Sequence, residues 1–167
     1  MSDELKKIYS ENGLADRFFE GSIPIELWRA QSSADFKKEV FIMQPHPGYK
    51  KLNEKGEVIR TRLPDVKIVE RNGKQIVLGC RCVKGDHRGI SVFDVQVTWL
   101  GAQWINYRIP AGTPIPENLA VTRDHSIPSY KATHYTLAPK DDMPLELFPR
   151  NSSGHAAGRW HVEAIHV

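Results

Sequence analysis

Ala132-Thr133-His134-Tyr135-Thr136-Leu137 sets a histidine, flanked by hydroxyl side chains, inside a run with the character of a β-strand. A polar side chain in such a run must be satisfied by a partner or used in chemistry. Taken alone, His134 reads plainly as a satisfied core histidine. Two upstream stretches pose the same question. Gly89-Ile90-Ser91-Val92-Phe93-Asp94 is a glycine-led turn that delivers a serine and, two residues on, an aromatic on the same strand face. Leu27-Trp28-Arg29-Ala30 puts an arginine on a predicted core strand, where it is costly without an anionic partner. A structural ion pair answers that need as well as a ligand does.

Working outward, strands outnumber helices. Ile25 to Ala30 reads as the first buried strand, and Asn72-Gly73, between Val66–Glu70 and Gln75–Cys82, is the turn signal of a hairpin. Further strands are expected over Val92–Thr98, Trp104–Ile109, Leu119–Val121, Ala132–Ala138 and Trp160–His166. Leu5, Ile8 and Tyr9 stand at helical spacing within Asp3–Asn12, a second short helical piece is expected over Leu14–Phe19, and Ser32 and Ser33 can cap a helix through Lys38. Between Val40 and Leu63, Pro45, Pro47, Gly48 and Gly56 break the chain into short pieces, so a loop-rich excursion is expected there.

The 167 residues suffice for one hydrophobic core, and a single domain over 1–167 is expected. With 40% hydrophobic and 26% charged residues, the composition is that of a folded protein and excludes a disordered chain. No run has the apolar length of a signal peptide or a spanning helix, so the chain reads as cytoplasmic, with no membrane partner, and exported, if at all, without a cleaved signal. The net charge of +3, from 23 Lys+Arg against 20 Asp+Glu, is too small to imply nucleic acid. Lys50, Lys51, Arg60 and Arg62 accordingly read as a solvated basic loop.

Cys80 and Cys82 share a strand face, which is poor spacing for a disulfide; with His87 they fall short of a metal-ligand set, and no metal is expected. His155, His161 and His166 do not share one face of a helix or strand and read as ordinary histidines. Walker A, G-x-G-x-x-G, H-E-x-x-H and the nucleophile elbow are all absent.

In their order along the chain, L-W-R-A, G-I-S-V-F-D, R-I-P-A-G-T-P-I-P-E-N-L and A-T-H-Y-T-L-A-P resemble the ADP-ribosyltransferase superfamily. More closely, they resemble a family of type VI secretion effector toxins with that fold, the second of the "type six exported" effectors. The resemblance is best from Gly89 to Pro139, where A-T-H-Y-T follows I-P-x-G-T-x-I-P; L-W-R-A and S-V-F are short and carry less.

The resemblance implies an α+β fold: an ADP-ribosyltransferase-like split β-sandwich core with short flanking helices, and NAD as substrate in the cleft between its sheets. Carried over position by position, Arg29 holds the pyrophosphate or ribose of NAD through its donor fork. Ser91 hydrogen-bonds the nicotinamide ribose or the third catalytic residue, and Phe93 packs on the nicotinamide ring. Ala30 and Tyr135 also line the pocket. Arg29, Ser91 and His134 form the catalytic set. Many transferases carry a glutamate at the third position; here the block Thr133-His134-Tyr135-Thr136 has no acid. His134 is expected to accept a hydrogen bond from the ribose or to act as base toward an incoming hydroxyl, with Glu163 as a candidate substitute acid.

The implied activity breaks the nicotinamide glycosidic bond and transfers ADP-ribose to an unknown intracellular target, a macromolecular acceptor. A cognate immunity protein is the implied neutralising partner. Two alternatives stand beside this: a metal-independent ribonuclease in which His134 and a second histidine act as base and acid with Arg29 on the phosphate, and a non-catalytic binding module that retains the fold.

Overall fold

The computed structural model describes residues 17–32, 48–79 and 89–148, the backbone of 163–165, and Lys7 and Glu11. These last two are helical and paired at 3.7 Å, as expected within Asp3–Asn12. The other residues of that helix, the expected helix after Ser32, and Cys80, Cys82, His87, His155, His161 and His166 lie outside the described residues.

Seven strands build the main sheet: β1 (Phe18–Phe19), β2 (Leu27–Ser32), β7 (Ile90–Phe93), β8 (Trp104–Ile109), β9 (Leu119–Ile127), β10 (Ala132–Pro139) and β12 (Glu163–Ile165). Their order is β1-β9-β10-β7-β2-β8-β12. Phe18 and Phe19 pair with Thr122 and Val121 as a strand, where the sequence predicts a helical piece. Both rings gain a place at the sheet edge that local helical spacing does not reveal. The predicted strands at Trp104–Ile109 and Ala132–Ala138 form as read, whereas β9 runs well beyond Val121 to Ile127.

A second sheet holds β5 (Ile68–Arg71), β6 (Lys74–Val77) and β11 (Met143–Pro144) in the order β11-β6-β5. Its hairpin turns on Asn72 and Gly73, whose φ angles of 52° and 72° are the left-handed pair that a tight two-residue turn requires. Val77 and Met143 of this sheet, with Val66 and Phe148, join Leu27, Ile90, Val92, Ile109, Val121, Tyr135 and Leu137 of the main sheet in one apolar cluster. Among the described residues, the core therefore lies against one face of the main sheet.

Within the predicted excursion, β3 (Tyr49–Leu52) and β4 (Val58–Arg62) pair as an antiparallel hairpin. Asn53 builds its turn: Oδ1 accepts the Lys55 and Glu57 backbone N–H groups, both at 2.9 Å, and Nδ2 donates to Glu57. Apart from the half-exposed Arg62, every strand residue of this hairpin is exposed. No buried face imposes an apolar alternation, which is why the sequence does not announce it.

The joint between β2 and β7 positions the site. β2 pairs with β8 at six successive residues, but with β7 only at Trp28↔Phe93. The main sheet is thus divided between these two strands, the ones that carry Arg29 and Ser91.

Candidate functional site

Strand alternation and register decide which side chains meet. Paired residues of an antiparallel sheet point to the same face. Trp28, Phe93 and His134 stand in line, as do Ser91 and Thr136, on the side away from the apolar cluster. Ser91, Phe93 and His134, far apart in sequence, share one face. The Phe93 and His134 rings meet edge to face with centroids 5.3 Å apart.

Gly89 makes this approach of β7 to β10 possible. A Cβ there would lie 2.4 Å from Thr136 Cγ2 and 2.5 Å from the Leu137 carbonyl oxygen. Beyond Phe93, Trp99 packs on it edge to face at 5.4 Å and stacks on Tyr130 at 4.4 Å. The loop that carries Trp99 is fastened by Asn106, whose buried amide accepts from the Val97 N–H at 2.9 Å and donates to the Val97 carbonyl at 3.0 Å. A side-chain amide here does the work of a neighbouring strand.

Sequence reading missed two residues of the site, Asp124 and His125. On β9, His125 pairs with His134 and Arg123 pairs with Tyr135, so Asp124 is the extra residue of a β-bulge. The bulge lets consecutive residues reach the same face. Asp124 Oδ2 lies 2.7 Å from His134 Nδ1, and the His125 ring stacks on His134 at 5.0 Å. Thr136 Oγ1 also donates to Asp124 Oδ2, and Thr122 Oγ1 donates to Oδ1 at 2.8 Å. A carboxylate accepts only, so His134 carries its proton on Nδ1 in this pair. Among the described residues Nε2 has no hydrogen-bond partner, and it is the nitrogen left for chemistry.

Arg29 reaches the joint from the other side. It shares a face with Leu27 by alternation and is 7% exposed. Nη1 donates to the Ser91 carbonyl at 2.9 Å and Nη2 pairs with Asp65 Oδ2 at 3.2 Å. Burial lowers the guanidinium's pKa and Asp65 opposes that shift; the group remains a cation. Among the described residues, its buried Nε has no hydrogen-bond partner. Asp65 also faces Arg62, at the end of β4, at 3.6 Å. The anionic partner that Leu27-Trp28-Arg29-Ala30 demands is therefore Asp65, and Arg29 grips the backbone of the strand that bears Ser91.

Of the other expected pocket residues, Ala30 is buried on the Trp28 side of β2. Tyr135, at 6% exposure, belongs to the apolar cluster, and the structure does not bring it to the His134 face. Burial, with Asp94 adding to it, raises the Tyr135 pKa, and Arg123 works against this. Glu163 is not brought to His134 either: β12 is separated from β10 by β7, β2 and β8, a span of roughly 19 Å at ordinary strand spacing. The carboxylate beside His134 comes instead from β9. Among the described residues no three His, Cys, Asp or Glu side chains gather as a metal site would need, and no helix is long and apolar enough to cross a membrane.

An imidazole held by a carboxylate, a serine and an aromatic ring meet on one sheet face, beside a division of that sheet at which Arg29 is buried. A family model described as the Tse2 ADP-ribosyltransferase toxin matches residues 6–156. The chain belongs to that family of toxins, and its fold is α+β with strands predominating. The match spans every side chain of the site described above. No curated protein matches the chain.

Proposed function

We propose that this toxin binds NAD on the His134 face, breaks the bond between nicotinamide and ribose, and passes ADP-ribose to an acceptor inside a target cell. The observation that carries the reading is the meeting of Ser91, Phe93 and His134 on one face beside the β2–β7 joint, in a chain of this family. In the proposed reaction the C–N bond breaks and its electron pair leaves with nicotinamide. A nucleophile of the acceptor, or water, forms the new bond to the ribose carbon, and its proton passes to Nε2 of His134. Phe93 supplies a ring on which nicotinamide packs, and Ser91 a hydroxyl for the ribose. Contrary to what the resemblance implied, Arg29 does not reach the diphosphate in this scheme; from the opposite face it holds the Ser91 carbonyl, with Asp65 as its anion, and so steadies the strand that presents the Ser91 hydroxyl. Delivery through a type VI system into the cytoplasm, and neutralisation by a cognate immunity protein, belong to the same proposal.

Incubating the purified protein with NAD and target-cell lysate tests this by nicotinamide release. Wild-type protein releases nicotinamide and His134→Ala does not; a wild type that neither binds nor turns over NAD ends the reading.

His125 favours a second reading. Its ring lies against His134, and two neighbouring imidazoles are what metal-independent RNA cleavage uses as base and acid. RNA degraded without NAD, and spared by His125→Ala, would replace the first reading with this one.

A further inference from the structure

The block around His134 lacks the glutamate that many transferases of this class carry, yet a carboxylate is present. We infer that Asp124 is the positioning carboxylate of this site: it fixes His134 as the Nδ1–H tautomer and steadies the imidazolium that forms when Nε2 takes a proton. The role rests on the NAD reading above for its reaction, but its geometry does not.

Among the described residues, three donors converge on Asp124: His134 Nδ1–H and the Thr136 hydroxyl on Oδ2, and the Thr122 hydroxyl on Oδ1. Together these hydrogen bonds hold the carboxylate still. The three donors lie on two strands in register, Thr122 opposite Thr136, so the carboxylate is fixed by the sheet rather than by a loop. The pair is sheltered, with side-chain exposure of 17% for His134 and 13% for Asp124, which strengthens its coupling over that of a surface pair. Without the extra residue on β9, Asp124 and His125 would alternate to opposite faces. The bulge puts one of them on His134 Nδ1 and the other on its ring. Asp124 does not touch the reacting ribose in this scheme; it acts through His134, as the buried acid of a catalytic triad acts through its histidine.

Asp124→Asn and Asp124→Glu test the assignment. In the wild type, the side-chain nitrogen resonances of His134 show the Nδ1–H tautomer; in Asp124→Asn the other tautomer gains population. Nicotinamide release falls in kcat on the order of 100- to 10,000-fold for the asparagine variant, KM for NAD stays within about threefold, and glutamate restores part of the rate. Should asparagine unfold the chain, Thr122→Val, which removes one hydroxyl from Asp124 and no contact of His134, lowers kcat with KM unchanged. An Nε2–H tautomer in the wild type, or a folded Asp124→Asn protein with wild-type kcat, overturns the inference. If the wild type is inert toward NAD, the proposed function fails by itself. The Asp124 role is then read from the tautomer and from growth arrest on expression, which Asp124→Asn relieves if the role holds and leaves intact if it does not.

Discussion

Along β10, Tyr135 and Leu137 turn into the apolar cluster, while His134 and Thr136 turn to the opposite side of the same sheet and meet Asp124. One face is built from packing, where loss of volume is felt as loss of stability. The other is built from hydrogen bonds among His, Asp and Thr, where a lost group costs about 1–3 kcal/mol of folding energy and much chemistry. Adjacent positions of a single strand thus divide two tasks, and substitutions at them should separate cleanly.

Leu137→Ala provides the largest stability effect. It is 1% exposed, and its truncation should cost about 2–5 kcal/mol in urea unfolding. His134→Ala should cost about 1 kcal/mol while abolishing nicotinamide release. Equal losses of stability at the two positions would break the comparison.

Gly89→Ala lies between them, since its added methyl meets both the Thr136 side chain and the Leu137 carbonyl oxygen of the sheet backbone. A loss of about 1–3 kcal/mol is expected, with reduced turnover in whatever protein remains folded.

Tyr135→Phe sharpens the contrast through pH. A phenol whose folded-state pKa is raised above 10.0 contributes stability that is fully present below pH 10 and is lost as pH rises through the folded value. The phenylalanine variant should therefore show a shallower alkaline decline in thermal melting above about pH 10. The raised Tyr107 leaves part of that decline in place.

Glu20→Gln is the smallest change. The bond to Lys140 Nζ at 2.6 Å, set against desolvation, lowers the Glu20 pKa below 4.5, so its contribution is present above pH 4.5 and lost as pH falls through the folded value. The glutamine variant should lose under about 1 kcal/mol at neutral pH and show a weaker acid dependence.

The packed face was the legible one. Leu137, Ile90 and Val92 alternate with Thr136, His134 and Ser91, so β10 could be placed and the polar exceptions His134 and Ser91 noticed, whereas the strand expected over Val92–Thr98 forms instead over Ile90–Phe93. Asp124 and His125 were hidden because Thr122-Arg123-Asp124-His125-Ser126 has no apolar alternation to mark a strand, and the bulge breaks the period of two. The predicted strand therefore ends at Val121. Asp65, which answers the demand of Arg29, comes from a connection far along the chain and leaves no local signal. β3 and β4 escaped for another reason: a hairpin exposed on both faces has no apolar pattern to read.

Asn106 carries a last consequence. Its grip on the Trp99 loop touches only the peptide group of Val97, never a side chain. The tie asks nothing of the Val97 side chain, so it fixes the backbone path leading to Trp99 independently of the ring contacts that Trp99 makes with Phe93 and Tyr130.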